Sequence, residues 1–331
     1  MHTELIHGCD AFSRLASEWD DLVDCSMTAT PFQSLGYQQA WWSNLGPGEL
    51  HTVTVRDDGG QLAAIACFYV VDGTLYFNGC TEETDYLDLI APAERADILW
   101  DRVFDVLEGS DFPAWRGLDL CNIPAASPSN DILREQAEKR GYRLQSAVQE
   151  VCPVVTLPDT FEEYLMDLDK KQRHEIRRKR RRANAAQAEL VTIGPEDDLT
   201  AAVEDFLELL QKSMPEKAEW LNEGRRAVFH EVAIAAMAAG TLQLMFLTHR
   251  GNRAAALFNF DYNDRIWVYN SGFDILEFGY LSPGVVLTAG AIEKAVENGR
   301  AAFDFLRGDE SYKYRFGAED TTINRIQITR A

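Results

Sequence analysis

Residues 61–92, QLAAIACFYVVDGTLYFNGCTEETDYLDLIAP, lie over residues 252–283, NRAAALFNFDYNDRIWVYNSGFDILEFGYLSP, at a constant offset of 191 and without a gap. Each stretch reads as a strand, a two-residue turn, a second strand, a loop, and a proline that opens a helix. The turn Asp72-Gly73 falls on Asn263-Asp264, and Pro92 falls on Pro283. Only Ala63/Ala254, Ala64/Ala255 and Pro92/Pro283 are offered as identities, so the repeat is one of pattern. Two halves built on one plan, a duplication, is the reading it supports.

Working outward, the first half predicts helices over 12–23 and 31–45 and a meander of strands over 51–56, 61–71 and 74–79. A helix over 93–107, a strand over 115–121, a helix over 132–139 and a strand over 151–157 follow. In the second half Thr160 and Glu163 form a capping box that opens a long helix. Helices are expected over 199–211, 226–239 and 285–297. Strands are expected over 242–248, 254–262, 265–274, 302–306 and 323–329. The class is therefore α+β, in two domains, 1–158 and 159–331.

The whole chain sets bounds on function. Its 331 residues are 46% hydrophobic, enough to bury two cores and to exclude wholesale disorder. No apolar run approaches the roughly 20 residues of a membrane span, and residues 1–10 lack the basic and apolar segments of a signal peptide. The six cysteines are scattered, with no Cys-x-x-Cys pair. They read as buried thiols of a reducing, cytoplasmic protein. The six histidines are scattered too, so no metal site is expected.

Charge separates the halves. Residues 1–168 hold 9 Lys/Arg against 29 Asp/Glu, whereas residues 169–331 hold 23 against 24. The first half should repel phosphates and nucleic acid, so an anionic ligand belongs to the second. There, the loop 278–284, FGYLSPG, precedes a helix with no charge from Val285 to Ile292. Its first amides can meet a phosphate without competition from a carboxylate. The equivalent helix of the first half opens with Ala93-Glu94 and carries Asp97 in its first turn, so it should not bind one.

Residues 170–182, KKQRHEIRRKRRR, hold nine Lys/Arg and one acid. One reading is a phosphate-binding helix; the other is a solvated helix neutralised by the acidic half. No aromatics interleave with the arginines, which argues against a free nucleic-acid module. Residues 303–317, FDFLRGDESYKYRFG, place Asp304 between two phenylalanines. That carboxylate either points across the sheet to a cleft or caps a neighbouring helix. No Ser/His/Asp order, Walker loop or Gly-x-Gly-x-x-Gly is present, so hydrolase, kinase and dinucleotide readings lack support.

These pieces together resemble the CelD-like acetyltransferase family of the GNAT superfamily, related to the Fem-type aminoacyltransferases. The matching pieces are Pro31-Phe32-Gln33 before Trp41-Trp42, then Lys171-x-Arg173-x-x-Ile176-Arg177-Arg178. The last is Asp304-Phe305-x-x-Gly308 followed by Tyr312-Lys313-x-x-Phe316-Gly317. The resemblance implies tandem GNAT-like folds, each a mixed, mainly antiparallel sheet flanked by helices. It also implies transfer of an acyl group, acetyl or longer, from acetyl-CoA or another acyl-CoA to a small-molecule or polymer acceptor bearing an amine or hydroxyl.

By the same resemblance the donor lies along Tyr269 and Ser271 and over Gly279, Ser282 and Gly284. Asp304 is the candidate base, Lys313 the oxyanion or phosphate contact and Tyr312 the candidate acid. Arg173, His174, Arg177 and Arg178 are the anion- or substrate-binding set. The usual Arg/Gln-x-x-Gly-x-Gly/Ala pyrophosphate loop is replaced by Leu281-Ser282-Pro283-Gly284. An aminoacyl-tRNA donor, as Fem-type relatives use, and a non-catalytic ligand-binding protein are the alternatives; tRNA is the one nucleic acid this reading admits.

Overall fold

Both repeated hairpins turn through residues with positive φ. Asp72 and Gly73 have φ of 49° and 76°, and Asn263 and Asp264 have 51° and 55°. This is the two-residue hairpin geometry whose twist matches that of the flanking strands. A computed structural model of the chain, describing residues 1–80 and 82–330, builds two compact units around these hairpins. One unit is Met1–Val151 with Thr322–Ala331 and the other is Cys152–Thr321. The division expected from sequence, at residue 158, differs in giving the last strand wholly to the second domain.

The first unit comprises β1 (His2–His7), α1 (Asp10–Leu15), α2 (Trp19–Asp24), α3 (Leu35–Leu45), β2 (Leu50–Arg56), β3 (Leu62–Val71) and β4 (Thr74–Phe77). It continues through α4 (Ala96–Leu107), β5 (Gly117–Pro124), α5 (Ser129–Arg140) and the start of β6 (Arg143–Thr156). Its strands β1 to β5 pair in sequence order, all antiparallel except the β4–β5 pair. The core forms where α4 lays Leu99, Trp100, Val103 and Phe104 against Val53, Ala64, Phe77 and Leu120. The segment expected as one helix over 12–23 is two, and β1 and the early part of β6 are additions.

The second unit runs from the end of β6 through α6 (Phe161–Asp167), α7 (Lys170–Ala185), β7 (Ala188–Thr192), α8 (Leu199–Ser213), α9 (Pro215–Trp220) and α10 (Glu223–Ala238). Then come β8 (Leu242–His249), β9 (Asn252–Tyr262), β10 (Arg265–Phe273), α11 (Ile275–Phe278), α12 (Pro283–Glu297), β11 (Ala302–Asp304) and α13 (Ser311–Tyr314). The last strand, β12 (Glu319–Thr329), begins here and pairs with β5 in the first unit's sheet. Within the second unit the strand order is β6-β11-β10-β9-β8-β7. Again one pair, β10–β11, is parallel. Its core packs Val286, Leu287, Ala289 and Ile292 of α12 against Ile266, Val268, Ala255 and Leu257.

The parallel pairs begin at equivalent places. Thr74 and Leu75 pair with β5 as Arg265 and Ile266 pair with β11, and 74 and 265 differ by the same offset of 191. The two helix starts differ. α12 begins at Pro283, whereas Pro92 leads into a 3-10 turn, Ala93–Arg95, before α4. Each unit is thus a mixed, mainly antiparallel sheet flanked by helices.

One expectation is corrected here. Cys80 and Cys121 are joined as a disulfide, their Cα atoms 6.2 Å apart, because the β4–β5 pairing brings the two chain segments together. Cys9, Cys25, Cys67 and Cys152 are free, the last two buried. Among the described residues no single helix is long and apolar enough to cross a membrane.

Candidate active site

β10 and β11 run together for only three pairs, Arg265↔Ala302 to Trp267↔Asp304. Then β11 ends, and Leu306 at φ 58° turns the chain away. β10 continues to Phe273, with a bulge between Val268 and Asn270. A bulge re-aims backbone groups and side chains locally. Past Trp267, β10 has no paired strand on its β11 side among the described residues. The sheet opens there.

A lysine that sequence reasoning did not single out lies at this opening. Lys217 donates through Nζ to Asn270 Oδ1 at 2.9 Å and to the Ser271 carbonyl at 2.7 Å. It gets there because α8 sits against β10 at Gly272. A Cβ on Gly272 would stand 2.8 Å from the Leu209 carbonyl oxygen and would collide with the Leu210 backbone nitrogen. Only glycine admits that approach, and α9, packed on α8, carries Lys217. Burial pushes the Lys217 pKa down to about 8; Glu310 opposes the shift and Lys313 adds to it. An amine held near 8 is poised to exchange protons at neutral pH.

The residues expected to carry chemistry are placed differently. Asp304 is fully buried; its Oδ2 accepts from Arg265 Nη1 at 2.9 Å and its Oδ1 from the Leu306 amide at 2.8 Å. Lys313 is buried as well. Its Nζ donates to the carbonyls of Leu306, Arg307 and Gly308 at 3.1, 2.6 and 3.0 Å and pairs with Glu310 at 2.9 Å. The two side chains therefore hold the turn that follows β11. Lys313→Met would leave those carbonyls, the buried one of Leu306 and the part-buried ones of Arg307 and Gly308, without their donor. It should cost about 2–3 kcal/mol of stability, read as a lowered unfolding temperature by differential scanning calorimetry.

Tyr269 is the bulge residue and packs with Phe229, Phe258 and Phe260 in an aromatic cluster. Ser271 contributes the carbonyl that Lys217 meets. Gly279 lies in a 3-10 turn and Ser282 adopts φ 54° before α12, whose first turn has no acid and no side-chain cap. Ser282 Oγ accepts from Arg182 Nη2 at 2.7 Å. Gly284 is the second residue of α12.

α7 packs on Ile176 and Ala183, seven apart on one face and both in the core with α12. Its paired carboxylates lie within the second unit, and one of them, Glu162, belongs to the acidic stretch 1–168. Arg177 pairs with Glu162, Arg180 with Glu293, and Arg178 and Lys179 with Glu175 at 2.8 and 3.1 Å. Hydrogen bonds from Arg178 and then Lys179 hold the Glu175 carboxyl down at about 2. Arg173 donates to the Met166 carbonyl at 3.1 Å, and His174 is exposed.

A cavity of about 290 Å³ opens beside the start of α12. Lys171, Gln172, Glu175, Ile176 and Lys179 of α7 line it with Val285, Tyr312, Arg315 and Phe316. Three cations against one acid give it a positive balance. Of the expected residues only Tyr312 lies there; the side chain is partly exposed, and desolvation of its phenol raises its pKa, so it stays protonated. The lining residues of α7 had a readable signal. Gln172 and Lys179 stand four before and three after Ile176, the one apolar residue of the basic run, and so share its face.

Residues 170–314 match the family model described as Acetyltransferase (GNAT) domain. That span contains Lys217, the opening between β10 and β11, the start of α12, and Lys313. Over most of the chain the fold is similar to solved structures that include the following three. FemX gives a TM-score of 0.69 at 11% identity, covering 98% of this chain and 96% of that one. The structure of L-PGS from Bacillus licheniformis gives 0.56 at 9%, covering 84% of each. A tandem GNAT protein from the clavulanic acid biosynthesis pathway, without AcCoA, gives 0.53 at 13%, covering 98% of each. At such identities the likeness establishes the fold. No curated protein sequence matches the chain.

Proposed function

We propose that this protein is an acyltransferase whose second unit holds both the acyl donor and the reacting atoms. The observation that carries the reading is Lys217, held over Asn270 and Ser271 where β10 loses its parallel partner. The donor is taken to be acetyl-CoA or another acyl-CoA, as the CelD-like resemblance implies. Its thioester would lie along β10 at Tyr269 and Ser271. Its phosphates would meet the start of α12 at Ser282 and Gly284 and the cavity lined by Lys171, Lys179 and Arg315. The acceptor is a small molecule or polymer bearing an amine or hydroxyl.

In that arrangement the acceptor nitrogen attacks the thioester carbon, the carbon–sulfur bond breaks, and Lys217 takes the proton the nitrogen sheds. Tyr312, protonated at neutral pH, is the group to return a proton to the departing thiolate. Asp304 and Lys313 act as positioning residues: they shape the turn that forms the far wall of the opening. Arg173, Arg177 and Arg178 set the pose of α7, and His174 remains available to a ligand on its exposed face.

Thermal-shift titrations with CoA, acetyl-CoA and aminoacyl-tRNA test the reading. A ligand at a hundred times its Kd stabilises by about 2.7 kcal/mol. Acetyl-CoA should raise the unfolding temperature. A Lys179→Gln, Arg315→Gln double variant should bind it about tenfold to a hundredfold more weakly, through lost charge-assisted contacts. Added salt should narrow that difference. Glu94→Gln, at the equivalent helix start of the first unit, should leave affinity unchanged. The exposed Lys170, Lys171 and His174 of α7 favour the aminoacyl-tRNA alternative. It is the better reading if aminoacyl-tRNA alone stabilises the protein, with a steep salt slope. No shift with any thioester or ester donor would leave a non-catalytic binding protein.

A further inference from the structure

Two histidines far apart in sequence meet at the edge of the first unit's sheet. His7 ends β1 and is the register partner of His51 on the antiparallel strand β2. Their Nδ1 atoms are 3.1 Å apart, and their rings stand at 87° to each other. Glu49, just before β2, brings a carboxylate oxygen into the same place: one ligand atom from each of the three residues lies within 4.8 Å of the others. We propose that His7, Glu49 and His51 form a binding site for a divalent transition-metal ion of the zinc type.

The distances fit that chemistry. Two imidazole nitrogens bound to Zn²⁺ at about 2.0–2.1 Å and a tetrahedral angle stand about 3.3 Å apart. The observed separation is within a few tenths of an ångström of that bite. Two neutral imidazoles and one carboxylate are a zinc donor set that leaves a fourth position for water. Perpendicular rings let both nitrogens point at one centre without the rings colliding.

The surroundings hold the donors in place. His51 is buried, and the Phe112 ring packs on it at 5.4 Å between centroids. The Gly8 amide donates to the Leu50 carbonyl at 2.7 Å, so the chain is tied immediately beside both histidines. His7 and Glu49 are exposed, which gives an ion a way in. Scattered histidines are no guide to this site: His7 and His51 are 44 residues apart, and only the strand register pairs them. A bound ion would pin β1, the edge strand, to β2.

The test uses the full-length, tag-free protein with Zn²⁺ by isothermal titration calorimetry and with Co²⁺ by visible absorption. The proposal expects one Zn²⁺ per chain with a micromolar or tighter Kd, a tetrahedral-type Co²⁺ band, and a higher unfolding temperature with Zn²⁺. His7→Ala, an exposed change that leaves the core alone, should weaken Zn²⁺ by at least about thirtyfold and remove the Co²⁺ band, since losing even an outer-shell partner of a ligand costs about tenfold to a hundredfold. Glu49→Gln should weaken it less. His230→Ala, whose imidazole has one carboxylate partner, Glu204, should bind as the unaltered protein does. Zn²⁺ binding weaker than about 100 μM, or binding that His7→Ala does not change, overturns the proposal and leaves a His–His hydrogen bond.

Discussion

Lys217→Met should lower turnover by about a hundredfold or more while the protein stays folded, the size expected when a positioned proton acceptor is removed. The pH dependence makes the result specific. Burial lowers the Lys217 pKa to about 8. A base acts in its neutral form, so the rate with acetyl-CoA and an accepted amine should rise through pH 8 and level off above it. The methionine variant should lose that limb. The linkage sign also favours an intact fold. The folded-state value lies below the unfolded one, so charging Lys217 is penalised on folding below pH 8. That penalty fades as pH rises toward about 10.4. Methionine carries no such penalty. A folded Lys217→Met protein with unchanged turnover and the same limb would remove Lys217 from the chemistry. Loss of donor affinity without a change in the limb would make it a donor contact instead.

Gly272→Ala should be the most destabilising single methyl group added to the second unit. The new Cβ would meet backbone atoms of Leu209 and Leu210, which cannot rotate aside as a side chain can. Overpacking of this kind costs about 3 kcal/mol, a fall of about 6–12 °C in unfolding temperature for a unit of this size. Gly284→Ala is the matched control. Its Cβ would meet only ring carbons of Phe273, at 3.7 and 3.9 Å. Calorimetry should therefore show a large loss at 272 and little change at 284. Since α8 and β10 set the place of α9, Gly272→Ala should also reduce turnover at temperatures where the protein remains folded. Equal stability of the two glycine variants would mean that α8 can lift from β10 at little cost.

Local chemistry made much of the architecture legible. Asp72-Gly73 and Asn263-Asp264 are residues that tolerate positive φ, so the two hairpins and their offset follow from the sequence. Thr160 and Glu163 form the capping box expected of them. Gly141 ends α5 at φ 70°, as a C-terminal glycine does. The contrast between the two helix starts was also readable, because acids at 94 and 97 and their absence after 283 are facts of the chain. So was the basic face of α7, once Ile176 is taken as the anchor that orients it.

The side chains that make the candidate site were decided by tertiary structure. Lys217 lies in a short helix with no distinguishing pattern, and it matters only because Gly272 lets α8 approach β10. Asp304 and Lys313 looked reactive by type. Their partners, Arg265 and three backbone carbonyls, come from chain reversals and strand pairing that residue identity does not encode. His7 and His51 became neighbours through the register of β1 on β2, as Cys80 and Cys121 did through β4 on β5. Turns, caps and helix faces depend on residues a few positions apart, whose interactions the sequence lists directly. Which ammonium faces a carbonyl and which faces an open strand depends on contacts across tens of residues, and those exist only after the chain has packed.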